Sequence, residues 1–400
     1  MMAKSVLFLH IGTPKTGTSA IQLFLVTNRE ALEKKGWTYP DFGFVYPDAS
    51  ETRNALWLAR EMEPSDDENR EKAMPQLLSA AEQYPHIILS EESLWTQGGY
   101  CREGREQFWH SFASFLKEND IDLKVIVYLR RQDQYLYSYW AQKVKKRDET
   151  RLFSQFAREF GLAHTKLDYC AQLDLIAEGV GAENLIVRPY DRSRFEKGSI
   201  IYDFLGCVGL TPDDTFEFPE ESNSSMSDCV LEAKRLMNRS LFQNRSGGFL
   251  YASLWEVQRE FEKEGKLKRR NAFSSADRKE FLRAYEKTNK DTARRYVYPD
   301  ADPDQIPELF PMDDLEREYE EWTFSVEEIA DVYNRCLYVA NRNGSEKILK
   351  LQQKNRKLQK RNKNLREKVL LERWRQSPVN RMKEKMGKSP QIRSKKKSRD

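Results

Sequence analysis

The sequence predicts an α/β protein with a central parallel sheet. Through the first half of the chain, short apolar segments of β-prone residues alternate with amphipathic helical segments. Polar residues suited to anion binding follow directly after several of these strands. Strands that alternate with helices usually pair in parallel, so that their carboxyl ends share one edge of the sheet. Ligands bind at that edge, and we expect the functional site there.

The first strand and the loop after it organise the chain. Residues 5–11 are apolar and β-prone, and the following loop is bounded by Gly12 and Gly17. An amphipathic helix begins where the loop ends. A strand, a tight loop and a helix N-terminus direct free backbone N–H groups and the positive end of the helix dipole at one anion. We therefore predict a phosphate-binding loop.

The lysine of this loop does not stand where nucleoside-triphosphate phosphotransferases have it. The two glycines bracket four residues, as in the Walker loop G-x-x-x-x-G-K-[ST], but the residue after Gly17 is Thr18. Lys15 lies inside the loop instead. The donors suit one terminal phosphate and a group leaving from it, without a metal ion, and they lie in the run Pro14-Lys15-Thr16-Gly17-Thr18-Ser19.

Further strands and helices follow from hydrophobic periodicity and from capping residues. We predict strands at 86–90, 123–129 and 184–190, and helices at 54–61, 74–83, 104–118, 132–146, 165–179 and 200–208. From about residue 226 the pattern is helical, with predicted helices at 226–244, 250–264, 276–296 and 325–341.

The segment after strand 123–129 predicts a second anion site. The strand delivers Arg130, and Ser138 lies about two helical turns along the following helix. An arginine fork and a hydroxyl together are suited to phosphate. Arg131 stands next to Arg130, so the sequence leaves open which arginine binds.

Two adjacent carboxylates, Glu91 and Glu92, follow strand 86–90 and are candidates for a general base. Neighbouring side chains of an extended segment point in opposite directions, so only one of the two should face the cleft. His10 of the first strand is a rival candidate. In the structural alternative, Ser90 caps a helix and the glutamates interact with its N-terminus.

These segments resemble the sulfotransferases that use 3′-phosphoadenylyl sulfate (PAPS). The run from Pro14 to Ser19 is similar to the family's 5′-phosphosulfate loop P-K-[ST]-G-[TS]-[TS]. Arg130 and Ser138 have the spacing of its 3′-phosphate motif R-x-x-x-x-x-x-x-S, although the Asn-Pro that often follows the arginine is missing. Residues 90–94 resemble the Ser-Ser-Glu-x-Leu of bacterial members, which would put the base on Glu92.

The resemblance covers about residues 5–210 and implies a three-layer P-loop-like fold. It implies PAPS as co-substrate, no metal, and transfer of a sulfonate to a hydroxyl or amine, with a carbohydrate as the expected acceptor. Lys15 would stabilise the charge that develops on the leaving phosphate. The residues expected to bind the nucleotide are Pro14, Lys15, Thr16, Gly17, Thr18, Ser19, Arg130 and Ser138.

Two other kinds of function are compatible with the sequence. A P-loop nucleotide kinase would bind Mg-ATP, but the lysine after Gly17 is missing and no strand evidently ends in a Walker-B aspartate. A non-enzymatic scaffold would act through the C-terminal helix and the basic tail alone. Substitution of Lys15 would separate an enzyme from such a scaffold.

The C-terminal segment 345–376 predicts a coiled-coil-like helix. Asparagine at position a of a heptad favours a two-stranded assembly in register, so we expect a homodimer through 348–369. The flanking residues are almost all Lys, Arg and Gln, and a single charged helix that frays or docks on its own domain is the alternative. The a and d positions are Ile348, Leu351, Asn355, Leu358, Asn362, Leu365 and Val369.

The chain has 400 residues and a net charge of +4, with its basic residues concentrated after residue 346. We expect a catalytic domain at 1–344, made of an α/β core at 1–210 and a helical region at 211–344. The helix 345–376 and a basic, disordered tail at 377–400 follow, and the tail is suited to anionic polymers.

Cysteine usage and hydropathy indicate a cytoplasmic protein. The five cysteines are scattered and form no C-x-x-C pair, which fits a reducing compartment. The four histidines have no metal-binding spacing. No apolar run approaches the roughly 20 residues that span a bilayer, so we expect no transmembrane segment.

Overall fold

The computed structural model divides the chain into two compact units, residues 1–245 with 266–325 and residues 246–265 with 326–400. The basic tail 377–400 lies outside the described residues. The residues that the structure describes are 4–47, 49–61, 67–96, 102–146, 148–161, 165–219, 226–239, 247–317 and 320–376.

The first unit contains a five-stranded parallel sheet, which confirms the predicted α/β class. The strands are β1 (Ser5–His10), β2 (Trp37–Thr38), β3 (His86–Ser90), β4 (Ile121–Leu129) and β5 (Leu185–Pro189). Their order in the sheet is β2-β3-β1-β4-β5, so the first strand of the chain is central. In register, Leu9 of β1 pairs with Leu89 of β3 and with Val125 of β4.

Helices cover both faces of this sheet and complete the three layers. Those that precede or follow the strands in the first unit are α1 (Thr18–Thr27), α2 (Arg29–Lys34), α3 (Leu56–Glu61), α4 (Asp67–Gln83), α5 (Ser93–Thr96), α6 (Arg102–Glu118), α7 (Gln132–Lys146), α8 (Phe153–Phe156), α9 (Tyr169–Val180) and α10 (Ile200–Cys207). Those that follow in the unit are α11 (Asp228–Met237), α13 (Ser275–Arg283) and α14 (Glu286–Thr292).

The side-chain alternation of β1 explains the layers. Leu7 and Leu9 are fully buried in a core that α6 and α9 share, whereas Phe8 points to the opposite face and packs with residues of α1 and α10. Both faces of the strand are therefore apolar, as expected for a parallel sheet covered on both sides. The loop after β1 emerges between the two layers.

Several elements differ from the sequence-based expectation. Strand β2 was not predicted, and its two residues pair with β3 at the edge of the sheet. Helix α4 begins seven residues earlier than predicted and contains Pro75. The long helix expected at 276–296 is divided into α13, α14 and the π-helical turn Ala293–Val297. Such breaks have little effect on hydrophobic periodicity, which explains why the sequence did not reveal them.

The second unit consists of α12 (Gly247–Lys263) and the 51-residue helix α15 (Val326–Gln376). Val332, Cys336 and Val339 of α15 are buried, as are Leu254 and Val257 of α12. The helix continues through Gly344, where we had expected the globular part to end. A single glycine costs a helix only about 1 kcal/mol, and the neighbouring turns are held by good helix formers.

Among the described residues, no helix is both long enough and apolar enough to cross a membrane.

Candidate functional site

The loop after β1 is held in one conformation by the backbone of β4. The Thr13 N–H donates to the Tyr128 carbonyl at 2.9 Å, and its hydroxyl donates to the same oxygen at 3.0 Å. Gly12 and Gly17 have φ values of +92° and +80°, which favour glycine. Lys15 also has a positive φ, of +71°. The loop therefore keeps a backbone conformation that its two glycines permit.

The loop presents a row of free backbone donors. Helix α1 begins at Thr18, and the Ala20 N–H donates to the Gly17 carbonyl at 2.9 Å. Within the part of the chain that the structure describes, the backbone N–H groups from Lys15 to Ser19 have no hydrogen-bond acceptor. Five consecutive free N–H groups at the positive end of a helix dipole can bind an anion.

The Lys15 ammonium lies in a strongly positive environment. Burial, followed by the charges of Lys145, Arg130 and Lys146, lowers the pKa of Lys15 to about 8, and Glu92 opposes this shift. Three cations near a half-buried amine raise the free energy of its charged form. A bound phosphate or sulfate group would relieve that repulsion. The two lysines at the end of α7 were not predicted as part of the site.

Arg130 brings a second cation to this loop. Its Nη1 donates to the Lys15 carbonyl at 2.9 Å, and its guanidinium lies 5.6 Å from the ring centroid of Tyr190. The Tyr169 hydroxyl in turn donates to the Arg130 carbonyl at 2.5 Å. The buried Nε of Arg130 has no hydrogen-bond partner among the described residues. The two predicted anion-binding segments therefore meet at the same edge of the sheet.

Arg131 occupies a different environment. Its side chain is 3% exposed, and its guanidinium forms ion pairs with Asp133 and Asp314. It also donates to the Pro311 carbonyl at 2.7 Å. These carboxylates neutralise Arg131 within the protein, which leaves Arg130 as the arginine available to a ligand.

Ser138 lies on α7, nearly two turns after the start of this helix at Gln132. It is half-buried, and its hydroxyl forms no hydrogen bond with a described residue. The position agrees with the spacing on which the prediction rested. Its role toward a ligand stays a prediction.

Glu91 is a buried structural carboxylate. It is 0% exposed, and Arg53 donates to both of its oxygens, with a distance of 2.9 Å from Nε to Oε2. The Ser93 N–H at the start of α5 donates to its Oε1 at 2.8 Å. Glu91 therefore interacts with the start of α5, whereas Ser90 belongs to β3 and its hydroxyl lies beside His10.

Glu92 lies against the loop that follows β1 and is also within ion-pair distance of Arg53. A Cβ at Gly12 would be 3.1 Å from the Cβ of Glu92, so the two backbones are in close contact. The Glu92 side chain is 20% exposed. Its Oε2 accepts a hydrogen bond from Gln22 Nε2 at 2.8 Å and lies 3.8 Å from Arg53 Nε. Of the two glutamates, only Glu92 is both accessible and next to Lys15.

His10 is a buried, neutral histidine. Its Nδ1 lies 2.9 Å from the Ser90 hydroxyl, and its ring packs against Tyr128 and Phe204. Complete burial lowers the pKa of His10 to about 3. A side chain in this environment stabilises the core below the loop and has no route to an acceptor.

Two supporting residues were missed by the sequence reasoning. Gln22 follows Thr18 by four residues, one turn along α1, and this helical spacing could have identified it as a neighbour of the loop. Arg53 lies in the irregular segment between β2 and α3, where no periodicity marks it. In the described ranges, no group of His, Cys, Asp and Glu side chains is arranged to hold a metal ion.

Comparisons with known proteins found distant similarities. No protein-family model matches the chain. An uncharacterised protein from Archaeoglobus fulgidus is 29% identical over 174 residues, which are 43% of this chain and 45% of that protein. The chain therefore spans less than half the length of this curated relative. Among solved structures, a sulfotransferase from Alicyclobacillus acidocaldarius is similar at 15% identity and a TM-score of 0.35, over 61% of this chain and 97% of that one.

Proposed function

We propose that this chain is a PAPS-dependent sulfotransferase. One observation carries the proposal: the Arg130 guanidinium is hydrogen-bonded to the Lys15 carbonyl, within a loop whose backbone donors are free. Two cationic sites next to each other suit a nucleotide with a phosphate at each end of its ribose. Backbone amides and Lys15 would hold the 5′ end, and Arg130 with Ser138 would hold the 3′-phosphate.

The reaction is a direct transfer between two oxygen atoms, or from oxygen to nitrogen. The acceptor hydroxyl or amine forms a bond to sulfur, while the bond between sulfur and the phosphate oxygen breaks. The acceptor proton passes to the Glu92 carboxylate, and adenosine 3′,5′-bisphosphate leaves. Lys15 stabilises the negative charge that develops on the leaving phosphate, and it requires no metal ion for this.

Glu92 has the surroundings that such a base requires. The Gln22 amide fixes one carboxylate oxygen, and the fraction of the side chain that is exposed provides access for an acceptor. Glu91, in contrast, is occupied by Arg53. We further propose a carbohydrate acceptor and a cytoplasmic location, which follow from the family resemblance and from cysteine usage.

Calorimetry with adenosine 3′,5′-bisphosphate tests the nucleotide site first. We expect one site per chain, and binding of adenosine 5′-monophosphate at least about tenfold weaker, because a hydrogen bond to a charged group contributes about 1.5–3 kcal/mol. Transfer from labelled PAPS to a panel of hydroxyl and amine acceptors tests the reaction. Absence of both binding and transfer would overturn the proposal.

A further inference from the structure

A buried arginine outside the site described so far forms no ion pair with any described residue. Arg105 of α6 is 4% exposed, and its Nη1 donates to Gln172 Oε1 at 2.5 Å. Among the described residues, its Nε and Nη2 have no hydrogen-bond partner and no carboxylate forms an ion pair with it. Burial lowers its pKa. A buried guanidinium without an anion is costly, and this one has donors left for a ligand.

A second cation stands on the turn before α9, the helix that carries Gln172. Lys166 is half-buried on the turn that precedes α9. Burial and then the charge of Arg105 lower the pKa of Lys166 to about 8.

These two cations lie at the same edge of the sheet as the nucleotide site. Gln172 follows Tyr169 by three residues on α9, so both are on one side of that helix, and the Tyr169 hydroxyl donates to the Arg130 carbonyl. The carbonyl of Leu167, the residue after Lys166, accepts from Gln132 at 3.3 Å. Helices α6 and α9 cover the face of the sheet opposite to α1.

We propose that Arg105 and Lys166 bind an oxyanion group, a carboxylate or a sulfate ester, of the acceptor substrate. That the bound molecule is the acceptor rests on the proposed sulfotransferase activity. The existence of the anion site does not depend on that activity. A guanidinium with two free nitrogens and a nearby ammonium would grip such a group and orient the acceptor toward Glu92. The substrate class is therefore an acidic acceptor, such as an acidic saccharide.

Inorganic sulfate is the first probe, titrated by calorimetry with the nucleotide site saturated by adenosine 3′,5′-bisphosphate. We expect one further sulfate site in the full chain, weakened at least tenfold by Arg105→Gln and by Lys166→Gln. Lys117→Gln is the matched control, because Lys117 is an exposed cation on the same helix as Arg105. If sulfate does not bind, or binds equally to Lys166→Gln, the inference is overturned. The half-buried Lys166 keeps the test informative should Arg105→Gln fail to fold.

A matched pair of acceptors gives the second test. With labelled PAPS, we expect KM to be about tenfold lower for a glucuronide than for the glucoside with the same aglycone, and Lys166→Gln to remove this preference. Comparing the KM of a sulfated sugar with that of the glucuronide shows whether the site prefers a sulfate ester or a carboxylate. Equal KM values for charged and neutral members overturn the inference. If the nucleotide does not bind, the proposed function fails, but the sulfate titration still tests the anion site.

Discussion

Lys15 contributes to the candidate site through its side chain and through its backbone. Its amine is half-buried among positive charges, its backbone has a positive φ, and its carbonyl binds Arg130. The crowding of positive charge and the positive φ raise the free energy of the loop without a ligand, and an anion would offset the electrostatic part. A cation whose charged form is destabilised by its surroundings is more typical of a functional site than of a structural ion pair.

Nucleotide affinity should depend on pH through this lysine. The pKa of Lys15 in the folded chain is about 8, below its usual 10.5, so the amine loses its proton as the pH rises through 8. We expect the affinity for adenosine 3′,5′-bisphosphate to fall about tenfold per pH unit above that point. Calorimetry between pH 7 and pH 9.5 measures it.

Lys15→Arg is the control for this dependence, because a guanidinium stays charged over the whole range. We expect its affinity, whatever its value at pH 7, to change little up to pH 9.5. A wild-type affinity that is equally flat would contradict the assignment of Lys15 to the anion site. The free protein has the opposite trend in stability, which should rise between pH 8 and 10.5 because the unfolded chain then binds more protons.

The two glutamates after β3 should respond differently to the same substitution. Glu92→Gln removes the proposed base, and we expect kcat to fall by about 10²–10⁴ with little change in nucleotide affinity. Glu91→Gln removes the fully buried carboxylate that binds Arg53, and we expect a loss of about 3–5 kcal/mol in the free energy of unfolding. Transfer rates and denaturant unfolding of both variants measure these effects.

The reverse assignment would follow from the reverse result. If Glu91→Gln folded stably and lost transfer activity while Glu92→Gln retained it, the base would be the buried carboxylate.

At the scale of elements, the loop between β1 and α1 depends on Gly12, which lies against Glu92 just after the end of β3. A methyl group on Gly12 would lie 2.9 Å from the Pro14 nitrogen and 3.1 Å from the Cβ of Glu92. We expect Gly12→Ala to weaken nucleotide binding more than tenfold, because the loop must shift away from Glu92. Strain of this kind costs about 1–3 kcal/mol.

Gly43→Ala separates backbone strain from contact. Gly43 also has a positive φ, of +71°, but a Cβ there would meet nothing within 4 Å. We expect this variant to lose some thermal stability and to bind adenosine 3′,5′-bisphosphate like the wild type. Equal affinity of both alanine variants would show that contact with Glu92 is unimportant for the loop.

The sequence predicts the elements around the site well because each has a local cause. Strand β1 contains the apolar run 6–9 and β4 the apolar run 125–129, so their existence and parallel pairing follow from hydrophobic pattern alone. The local sequence pattern could not show whether Arg130 or Arg131 is available to bind a ligand. Asp314, which neutralises Arg131, lies 183 residues away, and only the folded chain brings the two together. The same holds for Arg53 and Glu91.

For the whole molecule, helix α15 presents an apolar seam that should drive self-association. The apolar residues at positions a and d between Ile348 and Val369 are 44–58% exposed. The flanking positions are cationic or neutral, for example Lys354, Arg361 and Lys368, so two copies repel each other at low salt. We expect the dissociation constant of a dimer to fall at least tenfold between 0.05 and 0.5 M salt, on the order expected from screening.

Sedimentation equilibrium of the full chain measures this dimer. Leu358→Lys should abolish it by charging position d, whereas Gln353→Lys adds the same charge on the outer face of the heptad and should leave it intact. A chain that stays monomeric at both salt concentrations would contradict the prediction. Equal dimerisation of the two lysine variants would place the interface elsewhere.

The bond between Arg130 and the Lys15 carbonyl has a consequence for selectivity among nucleotides. Because one guanidinium is tethered to the very backbone that would cradle the opposite end of the ligand, neither half of the pocket can adjust without disturbing the other. A mononucleotide that fills only the glycine-bounded half would leave the arginine's buried Nε still unsatisfied. Under the proposed function, discrimination would then come less from attraction to the right ligand than from the penalty that an incomplete one leaves behind.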